Sequence, residues 1–217
     1  MNRNISLIIL SIPLGLFLLP VAFFFYKLSG KSLMYVNGRI YQFLITLRHG
    51  KWYEERLDKA IEYLDLSPGV RVLEVGCGAG KFSKRLLGRG VKLKGIDINE
   101  NFICELQRRY EGSFEMGDAL NLKYPGNTFD RAVMFDIMHH LGDYEKAVRE
   151  LVRVLRPGGY AIIWEGSETF GEDKIPPKFS KTLMEVLDGK TNAVDIDALK
   201  RGFDFKEIEP YCYRLTK

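Results

Sequence analysis

Four acidic residues lie where apolar runs end in the middle of the chain, namely Glu74, Asp97, Asp118 and Asp136. Each run has the length and composition of a buried strand, so each acid is expected at or just after a strand end. In open α/β sheets, ligands bind at the carboxyl ends of the strands. The spacing therefore predicts a ligand site with several carboxylates along one edge of a sheet.

A glycine-rich turn follows the first acid, with Gly76, Gly78 and Gly80 in the segment Val72–Gly80. Such a turn lets the backbone approach a ligand, and the next helix presents free N–H groups to a carboxylate or phosphate. The dinucleotide fingerprint would need its third glycine at position 81, which is Lys81. Glu74 would be unfavourable beside a pyrophosphate and favourable beside an ammonium group. The turn favours a zwitterionic ligand, with a nicotinamide-dependent oxidoreductase as the alternative.

Helices and strands must position these residues. From Trp52 onward, the spacing of apolar residues alternates between the period of a helix and that of a strand. This alternation is typical of a parallel sheet with crossover helices. Predicted strands cover Val70–Val75, Val91–Asp97, Ser113–Met116, Asp130–Phe135 and Tyr160–Trp164, followed by two near Phe203–Ile208 and Tyr211–Leu215. Predicted helices have apolar stripes within 57–64, 82–87, 102–106 and 147–155, the last ended by Arg156–Gly159, with a further helix at 179–187. The predicted fold class is α/β, with a doubly wound, mostly parallel, seven-stranded sheet.

Five segments in this order resemble the class I S-adenosylmethionine-dependent methyltransferases of the small-molecule type. They are Val72–Gly80, Gly95–Asp97, Gly117–Ala119, Phe129–His140 and Leu151–Gly159. The resemblance covers roughly residues 68 to 166 and implies a Rossmann-like methyltransferase fold. It also implies S-adenosylmethionine as the cofactor.

The resemblance implies a role for each residue of the first turn. Glu74 would lie near the ammonium group of the cofactor, and the turn itself would border its methionine portion through Gly76, Cys77, Gly78 and Gly80. Cys77 is interpreted as a small packing residue because methyl transfer from a sulfonium needs no enzyme nucleophile.

The later turns would hold the nucleoside portion of the cofactor. Asp97 would accept hydrogen bonds from both ribose hydroxyls, which suits a carboxylate with two oxygens. Asp118 would accept one from the adenine amine, with Ala119 beside it and Ile98 packed on the ring. Asp136 completes the cofactor-binding set at the end of the fourth strand. Each acid taken alone could instead be a solvated loop residue or a helix cap.

Three residues after the fourth and fifth strands are candidate catalytic groups: His139, His140 and Glu165. Methyl transfer is an in-line displacement, so the protein must align the reactants and, for a protonated acceptor, remove a proton. An imidazole titrates near neutrality and could be the base. Each histidine could equally cap or pack the next helix. The turn after the fourth strand lacks the Asn/Asp-Pro-Pro-aromatic pattern of methyltransferases that modify DNA bases.

The N-terminal part of the chain differs in character from the rest. The stretch Ile5–Tyr26 is almost wholly apolar and long enough to cross a bilayer core of about 30 Å as a helix. Residues 1–27 are therefore predicted to be a transmembrane anchor, a cleavable signal peptide and a buried core helix being the alternatives. Positive residues follow this segment, which predicts a single-pass protein whose remaining chain faces the cytoplasm.

Residues 28–51 form a juxtamembrane amphipathic segment in which Ile40, Phe43, Leu44 and Leu47 share one helical face. That face could lie on an anionic membrane or pack on the domain, which is expected to cover residues 52–217.

Charge and cysteine content restrict the partners. The total is +4, and the first 53 residues hold six cationic and no acidic side chains, so the remainder carries −2. A nucleic-acid partner is not expected, because phosphate binding requires basic residues on the domain itself. Three widely spaced cysteines predict neither a disulfide framework nor a metal site.

The leading hypothesis is a membrane-tethered methyltransferase for a small-molecule or lipid-like acceptor. A tethered protein methyltransferase and a non-catalytic S-adenosylmethionine-binding module are the alternatives.

Overall fold

The described part of the chain is built around one seven-stranded sheet. The computed structural model describes residues 53–110, 113–165 and 192–217. The strands are β1 (Arg71–Val75), β2 (Lys92–Asp97), β3 (Phe114–Met116), β4 (Phe129–Phe135), β5 (Leu155–Trp164), β6 (Phe205–Glu209) and β7 (Cys212–Thr216). Residues 53–63 are helical and are called α1. The other helices are α2 (Lys81–Leu87), α3 (Glu100–Arg109), α4 (Tyr144–Val154) and α5 (Ile196–Gly202), with a 3-10 turn over Met138–His140.

The strand order is β3-β2-β1-β4-β5-β7-β6. The first five strands of this order are parallel, β7 is antiparallel to β5, and β6 is antiparallel to β7. The prediction of a mostly parallel, seven-stranded α/β sheet is confirmed. The carboxyl ends of β1, β2, β3, β4 and β5 consequently share one edge, where α/β folds bind ligands.

Two apolar clusters cover the two faces of the sheet. Alternate residues of a strand point to opposite faces, and in β1 Leu73 and Val75 join one cluster while Val72 joins the other. β4 divides in the same way, with Met134 on the first face and Val133 on the second. Burial on both faces explains why these strands appear in the sequence as continuous apolar runs.

Side-chain caps fix where three of the helices begin. Asn99 accepts a hydrogen bond from Asn101 N at the start of α3, and Asp143 caps α4. Asp195 caps α5, a helix that none of the predicted elements covers. Leu199 is the buried residue of this short helix, so no apolar stripe predicts it.

The path from α4 into β5 differs from the prediction. The helix ends at Val154 and the strand begins at once at Leu155, opposite Phe129, whereas Tyr160 pairs with Arg131. The residues Arg156–Gly159 therefore form a bulge within the strand. Gly159 is required there, since an added Cβ would lie 2.9 Å from the carbonyl oxygens of both Arg156 and Asp130.

The N-terminal anchor, the juxtamembrane segment at 28–51 and the helix expected at 179–187 lie outside the described residues. Within residues 53–110, 113–165 and 192–217, no helix is long and apolar enough to cross a membrane.

Candidate active site

The glycine turn joins β1 to α2 and is fastened to the neighbouring strand. The backbone N–H groups of Gly76 and Cys77 both donate to Ile96 O, at 2.8 and 2.9 Å, and Gly80 N donates to Cys77 O at 2.9 Å. All three glycines have positive φ, at 76° for Gly76, 50° for Gly78 and 81° for Gly80. These bonds place a rigid loop of backbone at the carboxyl edge of the sheet.

Two of the three glycines are needed for packing, and the third is not. A Cβ on Gly76 would lie 2.6 Å from Ile137, and one on Gly80 would lie 2.3 Å from Leu106. A Cβ on Gly78 would meet no described atom within 4 Å. Among the described residues, Gly78 is therefore the glycine of this turn with the most room around it.

Cys77 lies between these glycines with its side chain buried in the core. Burial also raises the pKa of its thiol well above the ordinary value. Such a thiol is a packing residue, as expected from the sequence, and not a nucleophile.

Asp97 ends β2 and contacts the glycine turn directly. Its Oδ2 accepts a hydrogen bond from Gly78 N, and its Oδ1 accepts one from Asn99 N, both at 2.8 Å. Burial raises the pKa of this carboxyl, while the backbone donors oppose the rise. Each oxygen retains a second acceptor direction, so the carboxylate is fixed in place and can still bind two hydroxyl groups.

Glu74 is buried beneath the turn. Its Oε2 accepts a hydrogen bond from the hydroxyl of Ser83 in α2 at 2.6 Å. Burial raises the pKa of Glu74 to about 8; the Ser83 bond opposes this rise and the nearby charge of Asp97 adds to it. An approaching cation would offset the cost of burying this negative charge and would therefore favour the ionised carboxylate.

The ends of β2 and β3 together expose apolar surface. Ile98 is 63% exposed and Met116, which pairs with Asp97 in the sheet register, is 44% exposed. Asp118 is exposed and its Oδ1 accepts the N–H of Leu120 at 2.8 Å. Ala119 is buried in the core. Exposed aliphatic side chains beside a carboxylate suit a flat heterocycle that carries an amine.

Asp136 follows β4 in a left-handed conformation, with φ of 51°. Its Oδ1 pairs with Nη2 of Arg56 from α1 at 3.0 Å. Burial raises its pKa to about 6, which Arg56 opposes and the charge of Glu165 reinforces. An aspartate tolerates φ > 0 better than most residues, and this one is held by its ion pair.

His139 and Glu165 form a pair at the ends of β4 and β5. Nδ1 of His139 lies 2.5 Å from Oε1 of the nearly fully buried Glu165, and Oε2 of the same carboxylate accepts Met138 N at 2.8 Å. Since the carboxylate accepts from Nδ1, Nε2 of this ring carries the lone pair whenever the imidazole is neutral. The ring of His140 packs against that of His139, with the centroids 4.1 Å apart and the ring planes tilted by 48°. The structure thus distinguishes two histidines that the sequence treats alike.

Several residues at this edge had no assignment from the sequence: Ser83, Met116, Tyr53 and Arg56. The sequence does contain a pattern that could have indicated Arg56. Tyr53, Arg56 and Ala60 are spaced to share one face of a helix, so a charged residue lies on an otherwise apolar face. Within the described part of the chain, no group of three or more His, Cys, Asp or Glu side chains could hold a metal ion.

The residues present fit S-adenosylmethionine part by part. Glu74 is a buried carboxylate at a turn whose backbone opens at Gly78, as a ligand ammonium group requires. Asp97 is oriented by two backbone donors beside the exposed Ile98, which matches a ribose followed by an adenine ring. The described edge of this α/β sheet therefore fits a zwitterionic nucleoside.

Comparisons with known proteins agree with this class. Residues 73–163 match a family model described as a methyltransferase domain. The chain is 39% identical over 119 residues to Methyltransferase GfsG of Streptomyces halstedii, covering 51% of this chain and 42% of that protein. It is 32% identical over 114 residues to a demethylmenaquinone methyltransferase of Desulfitobacterium hafniense, covering 48% and 45%. The chain thus spans less than half the length of these relatives.

A solved S-adenosylmethionine-dependent methyltransferase from Aquifex aeolicus has the same fold. The TM-score is 0.52 at 24% identity, covering 73% of this chain and 87% of that one. The family match over residues 73–163 and the shared fold therefore support a methyltransferase domain and imply S-adenosylmethionine as its cofactor.

Proposed function

We propose that the whole protein is a membrane-tethered methyltransferase that modifies a small-molecule or lipid-like acceptor on the cytoplasmic side. The observation that best supports S-adenosylmethionine as the methyl donor is the hydrogen bond from Gly78 N to the Asp97 carboxylate, at the glycine of the turn with the most room around it. Glu74, Ile98 and Asp118 would hold the other parts of the cofactor.

Bound S-adenosylmethionine supplies a methyl group on a sulfonium sulfur, which an acceptor nucleophile takes by in-line displacement as the carbon–sulfur bond breaks. The chain's part is to orient the reactants and remove a proton. His139 is suited to the second task, since Glu165 fixes its Nδ1 and leaves Nε2 to accept the acceptor's proton. The buried Glu165 then stabilises the imidazolium that forms.

Two separate observations support the proposed class of acceptor. One relative is named for its action on demethylmenaquinone, a small molecule. The apolar stretch Ile5–Tyr26 is long enough to span a bilayer. A tethered active site gains effective concentration for acceptors held in the same membrane. These observations favour an acceptor that partitions into the membrane.

The acceptor can be sought directly with methyl-labelled S-adenosylmethionine and the full chain, incubated separately with membranes and cytosol. Label in a membrane extract supports the proposal. Label in protein would point to a tethered protein methyltransferase, and cofactor binding without any transfer would point to a binding module. Carbonate washing tests the anchor, because release of the intact chain would rule out a spanning helix.

The base can be tested once an acceptor is known. Replacing His139 by alanine should lower turnover by roughly 10²-fold or more while cofactor affinity is retained. His140→Ala serves as the matched control, since Nδ1 of the neighbouring His139 ring is the atom that meets Glu165 Oε1. Equal turnover in both variants and the wild type would remove His139 from the mechanism.

A further inference from the structure

Arg56 is a buried cation that comes from outside the segment matched by the family model. It lies in α1, and its side chain is 5% exposed. Its guanidinium carbon lies 5.0 Å from the centroid of the Phe135 ring and 4.9 Å from that of Trp164. Aromatic faces on two adjacent strands thus fix the plane of the guanidinium group.

The fixed guanidinium is directed at Asp136, with Nη2 and Oδ1 3.0 Å apart. The Asp136 side chain is 28% exposed, and the residue follows β4 directly at the carboxyl edge of the sheet. Its backbone is held as well, because Asp136 N donates to Trp164 O at 2.8 Å. Arg56 therefore contacts Asp136, the acidic residue of the predicted cofactor set whose backbone is left-handed.

We propose that Arg56 is a positioning residue that holds the Asp136 carboxylate ionised and in one orientation beside the bound cofactor. This inference rests on the proposed function, because Asp136 matters only if a cationic cofactor binds at this edge. Arg56 acts through Asp136 and is not itself a catalytic residue.

The charges around Asp136 show why a positioning cation is needed. Arg56 and Tyr53 face it from α1, Glu165 from the end of β5 and His139 from the 3-10 turn. Burial and Glu165 raise the pKa of Asp136, whereas Arg56 and His139 lower it, leaving it at about 6. Without Arg56, a substantial fraction of the Asp136 side chains would be protonated at neutral pH.

Loss of the Arg56 charge should leave α1 docked, since other contacts fasten this helix. Lys59 pairs with Glu209 at 2.6 Å, and Arg85 of α2 pairs with Asp58 at 2.7 Å and with Glu54. Leu57 of α1 is also fully buried in the core. Arg85→Gln breaks contacts of the same helix away from Asp136 and is the matched control.

Two measurements on the full chain in detergent test the proposal. The first is the titration of the Asp136 carboxyl by carbon-13 NMR, identified by its loss in Asp136→Asn. Arg56→Met should raise this titration midpoint by about 1 to 3 pH units, whereas Arg56→Lys and Arg85→Gln should shift it less. An unchanged midpoint in Arg56→Met would overturn the proposal, whether or not the cofactor binds.

The second measurement is calorimetric affinity for S-adenosylmethionine between pH 5 and 8. Arg56→Met should move the acidic loss of affinity to higher pH, with partial rescue by Arg56→Lys. In the Asp136→Asn background, Arg56→Met should add no further loss. A full additional loss there would show that Arg56 acts independently of Asp136. If the wild type bound no S-adenosylmethionine while the NMR midpoint shifted as expected, the proposed function would fail and the ion-pair assignment would stand.

Discussion

Alanine substitutions at Gly78 and Gly80 should separate ligand binding from folding. Both glycines have positive φ, a conformation that costs an alanine about 1 to 2 kcal/mol. At Gly80 the new Cβ would also lie 2.3 Å from Cδ2 of Leu106, and such overpacking adds about 1 to 3 kcal/mol. At Gly78 the new methyl group meets no described atom, so the conformational cost stands alone.

The expected loss of stability is therefore about 3 kcal/mol for Gly80→Ala and about 1 kcal/mol for Gly78→Ala. For a chain of this size these losses correspond to a decrease in Tm of roughly 6 to 12 °C and 2 to 4 °C. Cofactor affinity should fall more in Gly78→Ala than in Gly80→Ala, because the new methyl group at Gly78 projects into the open side of the turn. Urea unfolding gives the stabilities, and calorimetry with S-adenosylmethionine gives the affinities.

Equal losses of stability in the two variants would contradict the expected clash, since the contact with Leu106 would then cost nothing. Wild-type cofactor affinity in Gly78→Ala would contradict the expected role of Gly78 in binding. Asp118→Ala provides a reference for lost binding without lost stability, because this residue belongs to the predicted cofactor set and is exposed.

Substitutions of three buried side chains, Glu74, Ser83 and Leu151, give three further predictions. The folded-state pKa of Glu74 is raised to about 8, above its unfolded value, so its contribution to stability is present below about pH 4.5 and is lost as pH rises towards 8. Glu74→Gln should therefore flatten the decline in the free energy of unfolding of the ligand-free protein between pH 5 and 8, as measured by urea titration. Ser83→Ala removes the hydroxyl bonded to Glu74, so it should raise the pKa of Glu74 further and shift the pH midpoint of cofactor affinity upward; no shift would exclude that bond. Leu151→Ala should cost about 2 to 5 kcal/mol of stability through a cavity under α4 while cofactor affinity stays the same, and a loss below 1 kcal/mol would contradict the packing of that helix.

Much of the fold was predictable because both faces of the sheet are covered. Strands such as β1 and β4 appear as apolar runs bounded by glycine or an acid, and the acids then mark the carboxyl edge. The same logic correctly brought Glu74, the glycine turn and Asp97 together. It failed for α5, where Leu199 alone is buried and no periodicity is left to detect.

Pairings across the fold were beyond prediction for a different reason. Arg56 and Asp136 are 80 residues apart, and His139 and Glu165 are 26 apart, so no local pattern links them. Which of the two histidines meets Glu165 depends on how the 3-10 turn directs their side chains. Composition could indicate that an acid and a base were available, but only the packed structure shows which of them meet.

The central claim is that this edge of the sheet binds S-adenosylmethionine, and calorimetry with purified full-length protein tests it most directly. S-adenosylmethionine should bind the wild type, and Asp97→Ala should lose that binding because the oriented carboxylate at the glycine turn is gone. NAD should not bind either protein. Binding of NAD alone, or full S-adenosylmethionine affinity in Asp97→Ala, would contradict the account.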